Sequence, residues 1–177
     1  GVAMILDRLG FADDVIIAGL LHDAVEDRDV PLETIAAEFG PEVARLVDHL
    51  SERKKDDSGA ERPWPERKAE HLDALAAAPA AARAVALADK LHNLTAILWD
   101  LRRGAEVWSI FNAGRAQVLE YHRAAIARLG HGDGRLGRLA DECRAVLAQV
   151  EAAAGDGGVV DPPVADDRGT GIPAPPG

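Results

Sequence analysis

Apolar residues recur along most of this chain at the three- and four-residue steps of an α-helix. Leu87, Leu91, Leu94 and Leu98 form the longest series, at spacings of 4, 3 and 4. Val43, Leu46, Val47 and Leu50 make a second apolar face. Ile16, Ile17, Leu20 and Leu21 follow Asp13 and Asp14, either of which can cap a helix. Pro31 suits the first turn of a short helix over Leu32 to Phe39, and Gly40 stops it. Pro41 opens the next helix. Ser51 to Pro65 is polar, broken by Gly59, Pro63 and Pro65, and reads as a loop. Further helices are predicted from about Glu66 to Ala77, from Pro79 through the leucine series, from Glu106 to Leu129, and from Leu136 to Ala153. No convincing strand pair and no internal repeat stands out. The pattern predicts an all-α domain of seven or eight helices over residues 1–153.

The two ends differ. The apolar pattern is already running at Val2 with no capping residue before it, so the start reads as the inside of a helix whose beginning is missing. Residues 154–177 are rich in Gly, Pro and Asp and hold too few apolar side chains to offset the entropy of ordering them. A disordered acidic tail is expected there.

Composition narrows the classes. Apolar residues make up 47 % and aromatic ones only 4 %, which favours a helical globule over a β-sandwich. With 20 Lys+Arg against 30 Asp+Glu the net charge is −10, unlike a general nucleic-acid binder. No apolar run approaches the roughly 18–20 residues of a membrane span. Cys143 is the lone cysteine, which excludes an internal disulfide and a Cys-rich zinc site. The lone cysteine and the lack of a secretory signal point to the cytoplasm.

Chemistry concentrates in two stretches. Leu20-Leu21 runs directly into His22-Asp23-Ala24-Val25-Glu26-Asp27. On a helix, His22 lies one turn from Glu26, and Asp23 one turn from Asp27. Crowded carboxylates are unfavourable unless a positive charge joins them. A divalent metal does that, taking imidazole nitrogen and carboxylate oxygen as ligands. The other reading of this stretch is a solvated acidic helix end beside a core histidine. In the second stretch, Ala86 to Leu94, Asp89 is a carboxylate set in an apolar helix, and buried carboxylates need a metal or a cation. Asn93 follows one turn later on the same face. Lys90 is not expected to face Asp89, because adjacent helical positions diverge, and Arg83 and Arg102 lie at neither three nor four residues from it.

His22-Asp23 with Glu26-Asp27, followed about 65 residues later by Ala88-Asp89-Lys90-Leu91-His92-Asn93-Leu94, resembles the HD-domain phosphohydrolases. The particular likeness is to the hydrolase domain of RelA/SpoT proteins and their small stand-alone relatives. Phe39 to Val47 and Trp64 to Lys68 also resemble that branch. The resemblance implies an all-α fold holding one divalent metal, usually manganese, through two histidines and two aspartates. It implies substrates such as guanosine tetra- and pentaphosphate, (p)ppGpp, cleaved at the 3′-pyrophosphate. Carried over by residue, His22, Asp23 and Asp89 match metal ligands, Glu26 and Asp27 the catalytic pair, and Asn93 a nucleotide contact. The family's other metal-binding histidine stands in a His-Pro pair whose position precedes Gly1, as do basic residues that help to bind nucleotide. Where the family commonly has Thr after the Glu-Asp pair, this chain has Arg28.

A polyphosphate needs local positive charge on an acidic protein. Arg53-Lys54-Lys55 and Arg67-Lys68 are the candidate runs, with Arg67 and Lys68 preferred for substrate binding. Lys90 receives no role. His49, His71, His122 and His131 read as ordinary, Trp64, Trp99 and Trp108 as packing, and Cys143 as an inert, half-buried thiol. The same residues also suit an HD hydrolase of another nucleotide phosphate, or a non-catalytic HD domain that binds nucleotide or a partner protein. No nucleic-acid or membrane partner is expected, and the oligomeric state is open.

Overall fold

The computed structural model describes residues 1–52, 54, 59–111, 114–132 and 134–155, without the side chains of Glu26 and Asp27. In chain order the helices are α1 (Val2–Arg8), α2 (Asp13–Leu21), α3 (Ala24–Arg28), α4 (Leu32–Phe39), α5 (Pro41–Leu50), α6 (Trp64–Ala77), α7 (Ala80–Arg102), α8 (Arg115–Leu129) and α9 (Gly134–Gly155). Apart from α3, at 5 residues, each has at least 7. Glu61 forms an isolated bridge, and no strand runs through the described residues. The fold is all-α. The expected acidic tail lies, from residue 156 on, outside the described residues.

The leucine series becomes the central helix. α7 carries Leu87 and Leu94 with no exposed surface and Leu91 and Leu98 nearly so. Every residue from Ala84 to Ala88 is buried, and Ala82, Ala84, Ala86 and Ala88 fill the positions between larger side chains. Alanine favours the helix and lets neighbouring helices come close. α1, α2, α5, α6, α8 and α9 all pack against α7. Burial of each such leucine contributes about 1.5–3 kcal/mol. Gly40, at φ 94°, ends α4 in a conformation that favours glycine, and Pro41 takes the first position of α5.

Three expectations change. Neither Asp13 nor Asp14 caps α2. Ala12 holds the N-cap position, and both aspartates fall in the first turn, where they face the positive end of the helix dipole. The helix expected from Glu106 begins only at Arg115. Gly104, at φ 73°, follows the end of α7, a 3-10 turn covers Trp108–Ile110, and extended Gly114 caps α8. Cys143 is fully rather than half buried. Its thiol donates to the Leu87 carbonyl at 3.4 Å, and burial pushes its pKa up to about 12, which keeps it inert. No helix among the described residues is long and apolar enough to cross a membrane.

His122 on α8 is buried, with 5 % exposure. Burial, aided by the nearby Lys90 charge, pushes its pKa down to about 4, so the native imidazole is neutral. The unfolded histidine titrates near 6.5. Between pH 6.5 and about 4 the unfolded state therefore binds more protons, and native stability is lost as the pH falls through that window. The loss is on the order of 3 kcal/mol. Urea midpoints at pH 7 and pH 4.5 check this. His122→Leu should show a clearly shallower fall than wild type, and parallel curves would remove His122 as the cause.

Candidate active site

The site is built where α2 ends. Gly19 lets α1 and α2 approach closely, since a Cβ there would stand 2.7 Å from Leu6 Cδ1. The carbonyl of Gly19 accepts a hydrogen bond from His22 Nδ1 at 3.0 Å. That bond fixes the ring and turns Nε2 away from α2. α2 stops at Leu21, and His22-Asp23 forms a turn before α3. The six-residue stretch from His22 is therefore not one continuous helix. Asp23, at ψ −1°, interrupts it, and α3 restarts at Ala24.

His22 Nε2 lies 3.1 Å from Asp23 Oδ2 and 3.7 Å from Asp89 Oδ1. Two motifs far apart in sequence thus meet on one ring nitrogen. The His22 and Asp89 side chains are 20 % and 21 % exposed, whereas Asp23 is 62 % exposed. The hydrogen bond to Asp23, then that to Asp89, raises the His22 pKa to about 10. The imidazolium is the positive charge that these carboxylates need, and a cation binding Nε2 must displace its proton.

Asp89 has two more partners. Its Oδ1 accepts from Asn93 Nδ2 at 3.0 Å, and its Oδ2 accepts from Lys90 Nζ at 2.7 Å. The second contact corrects the expectation that Lys90 faces elsewhere. The Cβ directions do diverge, but the four-carbon stem swings the ammonium back, where it also stands 5.3 Å from the centre of the Tyr121 ring. Burial pushes the Asp89 carboxyl up, yet the Lys90 charge, with His22, outweighs it and holds the carboxyl well below its usual range. Burial likewise opposes the Lys90 ammonium, and Asp89 and Tyr121 nevertheless hold its pKa above the ordinary value.

These groups open onto a cavity of about 120 Å³. Glu52, Lys68, His71 and Tyr121 form its polar wall, brought by the loop after α5, by α6 and by α8. Lys68 and Arg67 are both tied to Glu52, Arg67 Nη1 at 3.4 Å, and the Glu52 side chain is only 4 % exposed. Burial raises the Glu52 pKa, but Lys68, Arg67 and His71 together bring it below its ordinary value. Lys68 also stands 5.7 Å from the Tyr121 ring centre. Trp64 packs edge-on against the same ring, at 6.0 Å between centres. Lys68 lines the cavity, whereas Arg67 and Asn93 are not among its lining residues. Glu26 and Asp27 belong to α3, but their side chains lie outside the described residues, as do Arg53 and Lys55.

Four wall residues were not singled out from sequence: Glu52, His71, Lys90 and Tyr121. Only His71 carried a signal, since it follows Arg67 and Lys68 by four and three residues and shares their helix face.

The donors suit a divalent ion in kind. One imidazole nitrogen, with its other nitrogen held by a carbonyl, and two carboxylates converge. Among the described residues no three His, Cys, Asp or Glu groups stand at the spacing of a closed metal cage.

The sequence profile of the HD domain family matches residues 1–118. The chain belongs to the HD domain family. HD-domain hydrolases are metal-dependent, and a divalent metal goes with this family. This HD domain is 38 % identical over 96 residues to the Mus musculus guanosine-3′,5′-bis(diphosphate) 3′-pyrophosphohydrolase MESH1, covering 53 % of this chain and 50 % of that protein. The chain spans about half the length of the curated relatives it matches. In structure it resembles the lmo0812 protein of Listeria monocytogenes, with a TM-score of 0.74 and 35 % identity, over 84 % of this chain and 95 % of that one. It also resembles a metazoan SpoT ortholog that hydrolyses ppGpp, with a TM-score of 0.61 and 29 % identity, over 81 % and 76 % of the two chains.

Proposed function

We propose that this HD domain is a metal-dependent phosphohydrolase that removes the 3′-pyrophosphate of (p)ppGpp. The observation that carries the proposal is the meeting of His22, Asp23 and Asp89 at the mouth of a polar cavity. The relatives named above support the substrate.

His22 Nε2 and the Asp23 and Asp89 carboxylates would hold the metal, and manganese is our choice of ion. Such an ion supplies a Lewis acid for the phosphoryl oxygen and a nucleophilic water near neutral pH. Gly19 keeps Nε2 directed at it through Nδ1. Asn93 holds the Asp89 Oδ1 from one side and leaves its own carbonyl oxygen for nucleotide. Lys68 places an ammonium on the cavity wall, suited to substrate phosphates. Arg67 assists by sharing Glu52, so that Lys68 is not wholly neutralised. Glu26 and Asp27 are assigned, from the family likeness, to orienting and deprotonating the attacking water. The lone cysteine suits a cytoplasmic setting.

The test is manganese-dependent release of pyrophosphate from ppGpp. Release should vanish with chelator and with His22→Ala. Manganese uptake without release would redirect the search to other nucleotide phosphates. Neither uptake nor release would leave a non-catalytic HD domain.

A further inference from the structure

Both carboxylate oxygens of Asp89 have protein partners. Its Oδ1 takes the Asn93 amide at 3.0 Å and faces His22 Nε2 at 3.7 Å, and its Oδ2 takes the Lys90 ammonium at 2.7 Å. Lys90 is equally committed. Its side chain is 15 % exposed, and its ammonium stands 5.3 Å from the centre of the Tyr121 ring. An aromatic ring attracts a cation but does not neutralise it. The only formal negative charge within bonding distance of Lys90 among the described residues is therefore Asp89. This is unlike a solvated surface pair, because a charge so far out of water needs its partner.

We propose that Lys90 is the built-in counter-cation of the metal centre. It neutralises Asp89 so that the site folds without metal, and it thereby limits how tightly a divalent ion is held. The inference rests on the proposed ligation by His22, Asp23 and Asp89. Asp23 and Asp89 bring two negative charges, and Lys90 cancels one of them. A divalent ion entering beside them meets a net charge of about −1 rather than −2 from these three side chains.

Lys90 has a second, opposing effect, because groups that orient a ligand commonly strengthen metal binding by about 10–100-fold. The hydrogen bonds decide between the two. Asn93 holds Oδ1, the oxygen turned towards His22, and this contact survives the loss of Lys90. Among the described residues no other cation stands at Oδ2. Charge therefore outweighs orientation.

The experiment is titration of the metal-free chain with manganese at fixed pH, read by calorimetry and by melting temperature. Lys90→Met should bind manganese about tenfold more tightly than wild type. It should also melt lower without metal and gain more on adding it. Lys90→Arg, which keeps the charge, should stay within about threefold of wild type. If Lys90→Met is unfolded without metal, recovery of its helical circular dichroism on adding manganese supports the proposal. If it stays unfolded, the milder Lys90→Gln decides by the same titration. Equal or weaker binding by the uncharged variant overturns the counter-cation role while leaving the metal site standing. Wild type that takes up no manganese removes the metal site, and this inference with it.

Discussion

If the proposed function holds, Asp89→Asn should reduce manganese-dependent pyrophosphate release by about three orders of magnitude or more. The substitution keeps the shape of the side chain and removes its charge. An amide oxygen is a poor substitute for a carboxylate beside a dication, and Asp89 is the proposed ligand carried by the central helix α7. The same change leaves Lys90 charged with a neutral partner. Removing one member of a buried pair costs about 3–5 kcal/mol, and the 21 % exposure of Asp89 places this pair at the lower end. Stability and turnover must therefore be read separately. Turnover is measured at a temperature where circular dichroism shows the variant to be folded, and manganese affinity is measured beside it. A folded variant with near-wild-type turnover would exclude Asp89 from the site.

Leu87→Ala acts on the other property. Leu87 has no exposed surface, lies on the face of α7 that meets α9, and its carbonyl receives the Cys143 thiol. Truncating it leaves a cavity among helices that cannot easily close in. The expected loss is about 2–5 kcal/mol. For a chain of this size that lowers the melting temperature by about 10 °C. Leu20→Ala is the control, because Leu20 is 70 % exposed and its removal should change stability by no more than about 0.5 kcal/mol. Equal shifts for the two leucines would contradict the placement of α7 at the centre. At low temperature the folded Leu87→Ala should retain most of its turnover, since Leu87 does not line the cavity.

How much of this was legible follows from which forces are local. The period of Leu87, Leu91, Leu94 and Leu98 identified α7, because these four leucines are buried along one face while His92, Asn93 and Trp99 of the same helix are exposed. Gly40-Pro41 marked the α4–α5 junction through backbone preference alone. The order of the two site motifs pointed to His22, Asp23 and Asp89 together, and the fold brings these three to one ring nitrogen. What failed was local geometry without a periodic signal. The break at Asp23 and the non-helical stretch before Arg115 depend on tertiary packing and on glycines that an amphipathic count passes over. Lys90 was misread because helix spacing rules describe Cβ directions, while a lysine reaches several ångströms beyond its Cβ. Glu52, His71 and Tyr121 arrive from three separate segments, and no spacing along the chain could have joined them.

Tyr121 is the chain's only tyrosine, and the ammonium groups of Lys68 and Lys90 stand 5.7 Å and 5.3 Å from its ring centre. Selective isotope labelling of tyrosine would therefore give a single aromatic spin system whose chemical shift responds to those two cations. One magnetic resonance signal, with no reporter group attached, would follow an ion arriving at Asp89 or a phosphate arriving at Lys68, and would distinguish the order in which they come.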